Sequence, residues 1–239
     1  MNTKIHRVGI IAAMQVEIEH LYDYFPISES INFDQKIFSI CNLKELQIIS
    51  VVSKVGQVNA AITATQLIEK FNPNYLIFLG VAGAVDPLLN IGNIIIGEKV
   101  LSAEYLHAYN AKVSWSFAKL PAHQYLADPL LLEAAKRIAA TDGGTIKAGI
   151  IGSSDFFPVP DYMPSEYENI KISAIDMESV GFYQACHEYN KPAIVIRGIS
   201  NNAFQVPAVK ITKEDMLNTA KKTAKFVEKL VTTCPPSSR

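Results

Sequence analysis

The sequence predicts an α/β protein: three layers, α/β/α, around a central mixed, twisted sheet. Two observations lead there. Continuous apolar runs such as Val8 to Ala13 and Tyr75 to Gly80 mark strands buried on both faces. Amphipathic helical segments alternate with them along nearly the whole chain, which is the pattern of a layered sheet flanked by helices. The chain has 239 residues, 49% of them hydrophobic and 19% charged. That size and composition suit one domain over residues 1–233, with a disordered Pro/Ser tail over 234–239.

The elements follow in order. Val8 to Ala13 is the first strand and Gln15 to Tyr24 the first helix. Lys36 to Cys41 and Leu46 to Ser53 read as paired strands around a turn at Asn42–Glu45. Gly56 to Phe71 is helical, with Val58, Ile62, Thr65 and Ile68 on one face. Tyr75 to Gly80, Asn93 to Ile96, Thr145 to Gly152, Ile172 to Ile175 and Ala193 to Arg197 are further strands. Pro129 to Ala140 and Met177 to Tyr189 are helices. The last helix, Lys213 to Val231, carries an apolar stripe of Met216, Ala220, Phe226 and Leu230. Thr212 is its N-cap, with Glu214 and Asp215 where the helix dipole favours acids.

Composition excludes several functions. Lys and Arg number 22 against 23 Asp and Glu, a net charge of −1, so no global field holds nucleic acid or an anionic membrane. The longest apolar stretch, Tyr75 to Val85, falls short of the roughly 20 residues of a bilayer span. The N-terminal segment lacks a long apolar core and a cleavage site, so it reads as a first strand of a cytoplasmic protein. Cys41, Cys186 and Cys234 show neither disulfide nor zinc spacing. Cys186 beside His187 is a half-buried thiol next to a surface imidazole rather than a nucleophile and base, because neighbours on a helix diverge.

In open α/β sheets, ligands sit beyond the carboxyl ends of strands. Those positions hold Glu17, Lys54-Val55-Gly56, Gly80-Val81-Ala82-Gly83, Ser153 to Pro158, Asp176-Met177-Glu178 and Arg197 to Asn202. Taken singly, each has a plain structural reading: a first-turn acid, a counter-ion, a core ring, a tight turn. Gly80-x-x-Gly83 lacks the third glycine and downstream acid of a dinucleotide fingerprint, and no P-loop is present.

The ordered set says more. GIIAAMQVEIEHL, SKVGQVNAA, FLGVAGAV, SSDFF, IDMESVGFYQAC and VIRGISNNA resemble, in that order, the purine nucleosidase and phosphorylase superfamily. They are most similar to the 5′-methylthioadenosine/S-adenosylhomocysteine nucleosidases. The resemblance runs from about Val8 to Leu230. It implies cleavage of an N-glycosidic bond of a small purine nucleoside, with no metal and no organic cofactor, by a homodimer. By residue, it implies that Glu17 activates water. Met177 and Glu178 then hold the ribose hydroxyls, and Arg197 holds Glu178. Phe157 stacks on the purine, and Met14 and Val55 line the sugar and its 5′ substituent. Asn201, after Ser200, stands where the family has an aspartate that protonates the base. Val81 stands where it has a serine, and Pro158 removes an N–H that reads the adenine edge.

The chemistry supports these roles. Breaking the bond builds positive charge on the sugar, which a nearby carboxylate and a positioned water stabilise. Phosphorolysis asks instead for cations that clamp phosphate. Arg7 precedes the strand, and Lys54 and Lys99 lack the bidentate fork. Asn201 and Pro158 suit the edge of a 6-oxopurine better than that of adenine, so a 6-oxopurine nucleoside hydrolase of the inosine or futalosine type is the second expectation. A non-catalytic nucleoside-binding relative is the third.

Overall fold

The computed structural model describes residues 5–103, 124–156, 170–203 and 212–234. Ten strands join one mixed sheet. In chain order they are β1 (His6–Ala12), β2 (Glu29–Phe33), β3 (Lys36–Leu43), β4 (Leu46–Val52), β5 (Tyr75–Ala84), β6 (Ile94–Ser102), β7 (Gln124–Leu126), β8 (Ile146–Ser153), β9 (Ile172–Asp176) and β10 (Ala193–Asn202). The helices are α1 (Gln15–Ile18), continued as a 3₁₀ turn over Glu19–Asp23, then α2 (Gln57–Phe71), α3 (Pro129–Ala139), α4 (Ser179–Glu188) and α5 (Lys213–Thr233).

Alternation along the central strands builds the three expected layers. Val8, Ile10, Ala12, Ile77 and Leu79 face one core with α1, α3 and α5. Ile11, Ala13, Leu76 and Phe78 face the other, with α2 and α4. β1 lies parallel between β4 and β5, while β3 returns antiparallel on β4. Beyond β5 the sheet curls. β5 pairs with both β9 and β10, β10 with β6, β6 with β8 and β8 with β9, so these strands meet in a ring. Register shifts in β6, β9 and β10 provide the local bends that such curvature requires.

The sequence reading of α2 needs one correction. Val58 and Ile62 are 67% and 50% exposed, and the buried face is Ala60, Thr63, Ala64, Leu67 and Ile68. Small residues are inside because α4 packs closely there. A Cβ on Gly181 would collide with the carbonyl oxygen of Gln57. The last helix matches its expectation: Thr212 caps it by accepting the Asp215 N–H, and Ala220, Phe226 and Leu230 are buried. The expected half-burial of Cys186 is also corrected, since the thiol is fully buried and burial raises its pKa, while His187 is exposed. The tail beyond Cys234 lies outside the described residues.

Candidate active site

β1 ends at Ala12, and the chain turns through Met14 into the short α1. Glu17 occupies the third position of that helix and is 2% exposed. One carboxylate oxygen accepts the Met14 N–H at 2.8 Å, the other the Val81 N–H at 2.9 Å. The acid is thereby wedged between the ends of β1 and β5. Burial pushes its pKa up, opposed by Arg197 and by the N–H groups of Val81, Met14 and Ala13.

Glu178 approaches from the opposite wall. β9 ends at Asp176, and Glu178 is the N-cap residue of α4. Its Oε1 accepts the Gly56 N–H at 3.2 Å. Gly56 has φ +104° and Lys54 φ +76°, a left-handed pair that turns the chain after β4 so that this N–H points inward. Burial is also the main reason the Glu178 pKa rises, to about 7.

Arg197, in the middle of β10, is fully buried. Its Cζ lies 4.6 Å over the Phe78 ring. The expectation was that it holds Glu178. Its short contact is instead Nε to Asp176 Oδ2 at 2.8 Å, and Nη2 reaches Glu178 Oε2 only at 3.5 Å. Nη1 has no hydrogen-bond partner among the described residues and lies against Gly80. A Cβ at Gly80 would strike Nη1 and come 2.9 Å from Glu17 Oε1. The guanidinium thus stands between Glu17, Asp176 and Glu178, too little charge to neutralise all three when ionised.

These groups share a cavity of about 220 Å³ at the carboxyl ends of the strands. Of the residues named from sequence, Met14, Glu17, Val55, Val81, Met177, Glu178, Ser200 and Asn201 all line it. Arg197 sits directly behind. Phe157 and Pro158 lie outside the described residues. A register shift in β10 between Ile199 and Asn201 lets consecutive residues, Ser200 and Asn201, both face the cavity. The Ser200 hydroxyl is 3.0 Å from Asn201 Oδ1.

Sequence reasoning missed three participants. Asp176 was noted at a strand end without a role, Gly80 was read as a turn glycine, and Met216 was placed in the core stripe of α5. Met216 in fact forms part of the cavity wall. The signal for Asp176 was its place in the same tripeptide as Glu178, and for Met216 its position at the start of its stripe.

The cations behave as their positions suggested. No Lys or Arg side chain lines the cavity among the described residues. Arg7 lies inside β1 rather than before it, at the far end of the strand, where it donates to Gln47 Oε1 at 3.0 Å. A larger groove, about 650 Å³, opens at the opposite strand ends around Tyr125 and Ala193. Its one acid, Asp128, caps α3 through the Leu130 and Leu131 N–H groups, so it offers no converging carboxylates. No helix among the described residues is long and apolar enough to cross a membrane.

Comparison with known proteins agrees with this fold. The 5′-methylthioadenosine/S-adenosylhomocysteine nucleosidase of Staphylococcus saprophyticus is 32% identical over 200 residues, covering 82% of this chain and 86% of that one. The nucleosidase of the same name from Neisseria meningitidis, solved with methylthio-immucillin-A, superposes with a TM-score of 0.82 at 26% identity, covering 95% of this chain and 99% of that one. Futalosine hydrolase of Helicobacter pylori superposes with a TM-score of 0.83 at 26% identity, covering 95% and 98%. The sequence pattern of the phosphorylase superfamily matches residues 7–234. With its sheet, its ring of strands and nearly its whole length accounted for, the chain belongs to the phosphorylase superfamily.

Proposed function

We propose that this protein hydrolyses the N-glycosidic bond of purine nucleosides of the 5′-methylthioadenosine/S-adenosylhomocysteine type, releasing the free base and the ribose moiety. The observation that carries the reading is the convergence of Glu17 and Glu178 on one cavity. Glu17 is the general base. Both its oxygens accept backbone N–H groups, which fixes it in place, and its raised pKa moves it toward the operating range for proton transfer. Glu178 accepts the two ribose hydroxyls, with Met177 packed against the sugar. Arg197, buried behind them, offsets the charge of the pair. Water is the nucleophile in this reading, because the lining among the described residues supplies no cationic fork for phosphate. The Staphylococcus saprophyticus and Neisseria meningitidis relatives are named as nucleosidases of this kind. The reading calls for no metal and no organic cofactor, and a homodimer is the assembly we propose.

Asn201 favours a second reading. An amide cannot deliver a proton to N7, but its NH₂ can donate a hydrogen bond there. With Oδ1 bonded to the Ser200 hydroxyl, the NH₂ is the end left for the ligand. N7 and O6 of a 6-oxopurine both accept such a donor, whereas adenine sets its own amino group beside N7. The futalosine hydrolase likeness is in line with this.

One experiment separates these. Purified protein is incubated with 5′-methylthioadenosine, inosine and futalosine, and free base is followed by chromatography. Base release is expected, with Glu17→Gln slowing kcat by about 10²- to 10⁴-fold. Preference for inosine or futalosine selects the second reading. Binding without base release, unchanged by Glu17→Gln, would instead make the protein a nucleoside sensor.

A further inference from the structure

Asp176 is an acid held by four hydrogen bonds, and the reaction sketched above gives it no task. Its Oδ1 accepts the N–H groups of Glu178 and Ser179 at 3.3 and 3.2 Å. Its Oδ2 accepts Nε of Arg197 at 2.8 Å and also the Ser179 hydroxyl. A carboxylate offers about four lone-pair sites, and four donors fill these. With a side chain 1% exposed, Asp176 borders the cavity but has no acceptor left for a substrate hydroxyl.

What it does control is the guanidinium. Arginine meets a carboxylate best through two parallel N–H groups. Here the Nε edge is taken by Asp176 and one face rests on Phe78. Nη2 is left between Ser179 Oγ at 3.3 Å and Glu178 Oε2 at 3.5 Å, so no fork forms on Glu178. We infer that Asp176 is a positioning residue: by holding the Nε edge of Arg197 it keeps the guanidinium from closing on Glu178, and so leaves that carboxylate free for the sugar hydroxyls. The inference rests on the nucleoside-hydrolysing reading of the site.

The consequence is a pH dependence with a definite sign. Glu178 is faced by Arg197 from β10, Asp176 from β9, the Gly56 N–H ahead of α2 and Glu17 from α1. Burial raises its pKa most, Arg197 lowers it, and Asp176 raises it again. Glu178 must be ionised to accept two hydroxyls. Nucleoside affinity therefore weakens on the acid side of about 7. Without the Asp176 charge, repulsion falls and Arg197 turns to Glu178, so the acid limb moves down.

The test follows KM and kcat for 5′-methylthioadenosine and inosine, with Kd by calorimetry, from pH 5 to 9. In Asp176→Asn the acid limb is expected to move down by about one pH unit, while KM on the plateau rises several-fold as Arg197 occupies Glu178. Asp176→Glu retains the charge and keeps the limb near its original position. Ser179→Ala, which leaves Nη2 only Glu178 to bond, shifts the limb the same way by less, and decides the matter if Asp176→Asn does not fold. A limb that coincides with that of the unsubstituted protein in Asp176→Asn, or in Ser179→Ala where that variant decides, overturns the inference. If nucleosides bind but no base is released, the hydrolytic reading fails, while the limb in Kd still judges Asp176.

Discussion

Gly80 shows how little room there is around the groups we assign to catalysis. Its missing side chain is the space into which Arg197 Nη1 and Glu17 Oε1 project from β10 and α1. Gly80→Ala would push both aside while leaving the surrounding apolar core intact. A displacement near 1 Å costs on the order of 100-fold in rate. We therefore expect kcat/KM for nucleoside hydrolysis to drop by about that factor, with only a modest fall in melting temperature. Equal activity in the two proteins would mean that Glu17 and Arg197 do not act from these positions. Glu17 and Glu178 were legible in the sequence because each follows an apolar strand within an ordered set of motifs. Asp176 was not, because an acid before a helix looks the same whether it caps the helix or also steers an arginine across the sheet.

At the scale of elements, the contact between α2 and α4 links stability to the site. Gly181 lets the first turn of α2 lie directly on α4, and the neighbouring Gly56 N–H is a partner of Glu178. Gly181→Ala is expected to destabilise the fold by about 1–3 kcal/mol, as overpacking does, and to raise the KM for nucleoside by moving Gly56. Urea unfolding and steady-state kinetics would check the two effects. Loss of stability with an unchanged KM would separate the helix contact from sugar binding. The starts of the buried strands and the capped last helix were read to within about two residues, but β5, β6 and β10 run on to Ala84, Ser102 and Asn202, past the expected ends at Gly80, Ile96 and Arg197. The short edge strands were not: β2 is largely exposed, with charged and polar residues, and β7 has only three residues. The buried face of α2 was misread because Val58 and Ile62 point to solvent while the smaller Ala60, Thr63 and Ala64 point in.

For the whole molecule, the exposed apolar residues Val55, Val58 and Ile62 follow one another from the cavity wall along α2. Apolar surface of this kind, next to a site, marks an interaction face, and it is the face we assign to the homodimer. Sedimentation velocity is expected to show a dimer that the double change Val58→Lys, Ile62→Lys converts to folded monomer. A monomer at micromolar concentration without any substitution would remove the assignment. Closure of β5, β6, β8, β9 and β10 into a ring was beyond the sequence, since it joins strands far apart in the chain. Where β10 leaves regular register, adjacent side chains on either side of one peptide face the same cavity. Aspartate and asparagine share nearly the same outline, so either would fit that contour. Chain length there matters for another reason: losing Ser200 would restore regular pairing, Ile199 against Ala82 and Asn201 against Gly83, and would leave one polar side chain facing the cavity where there are now two.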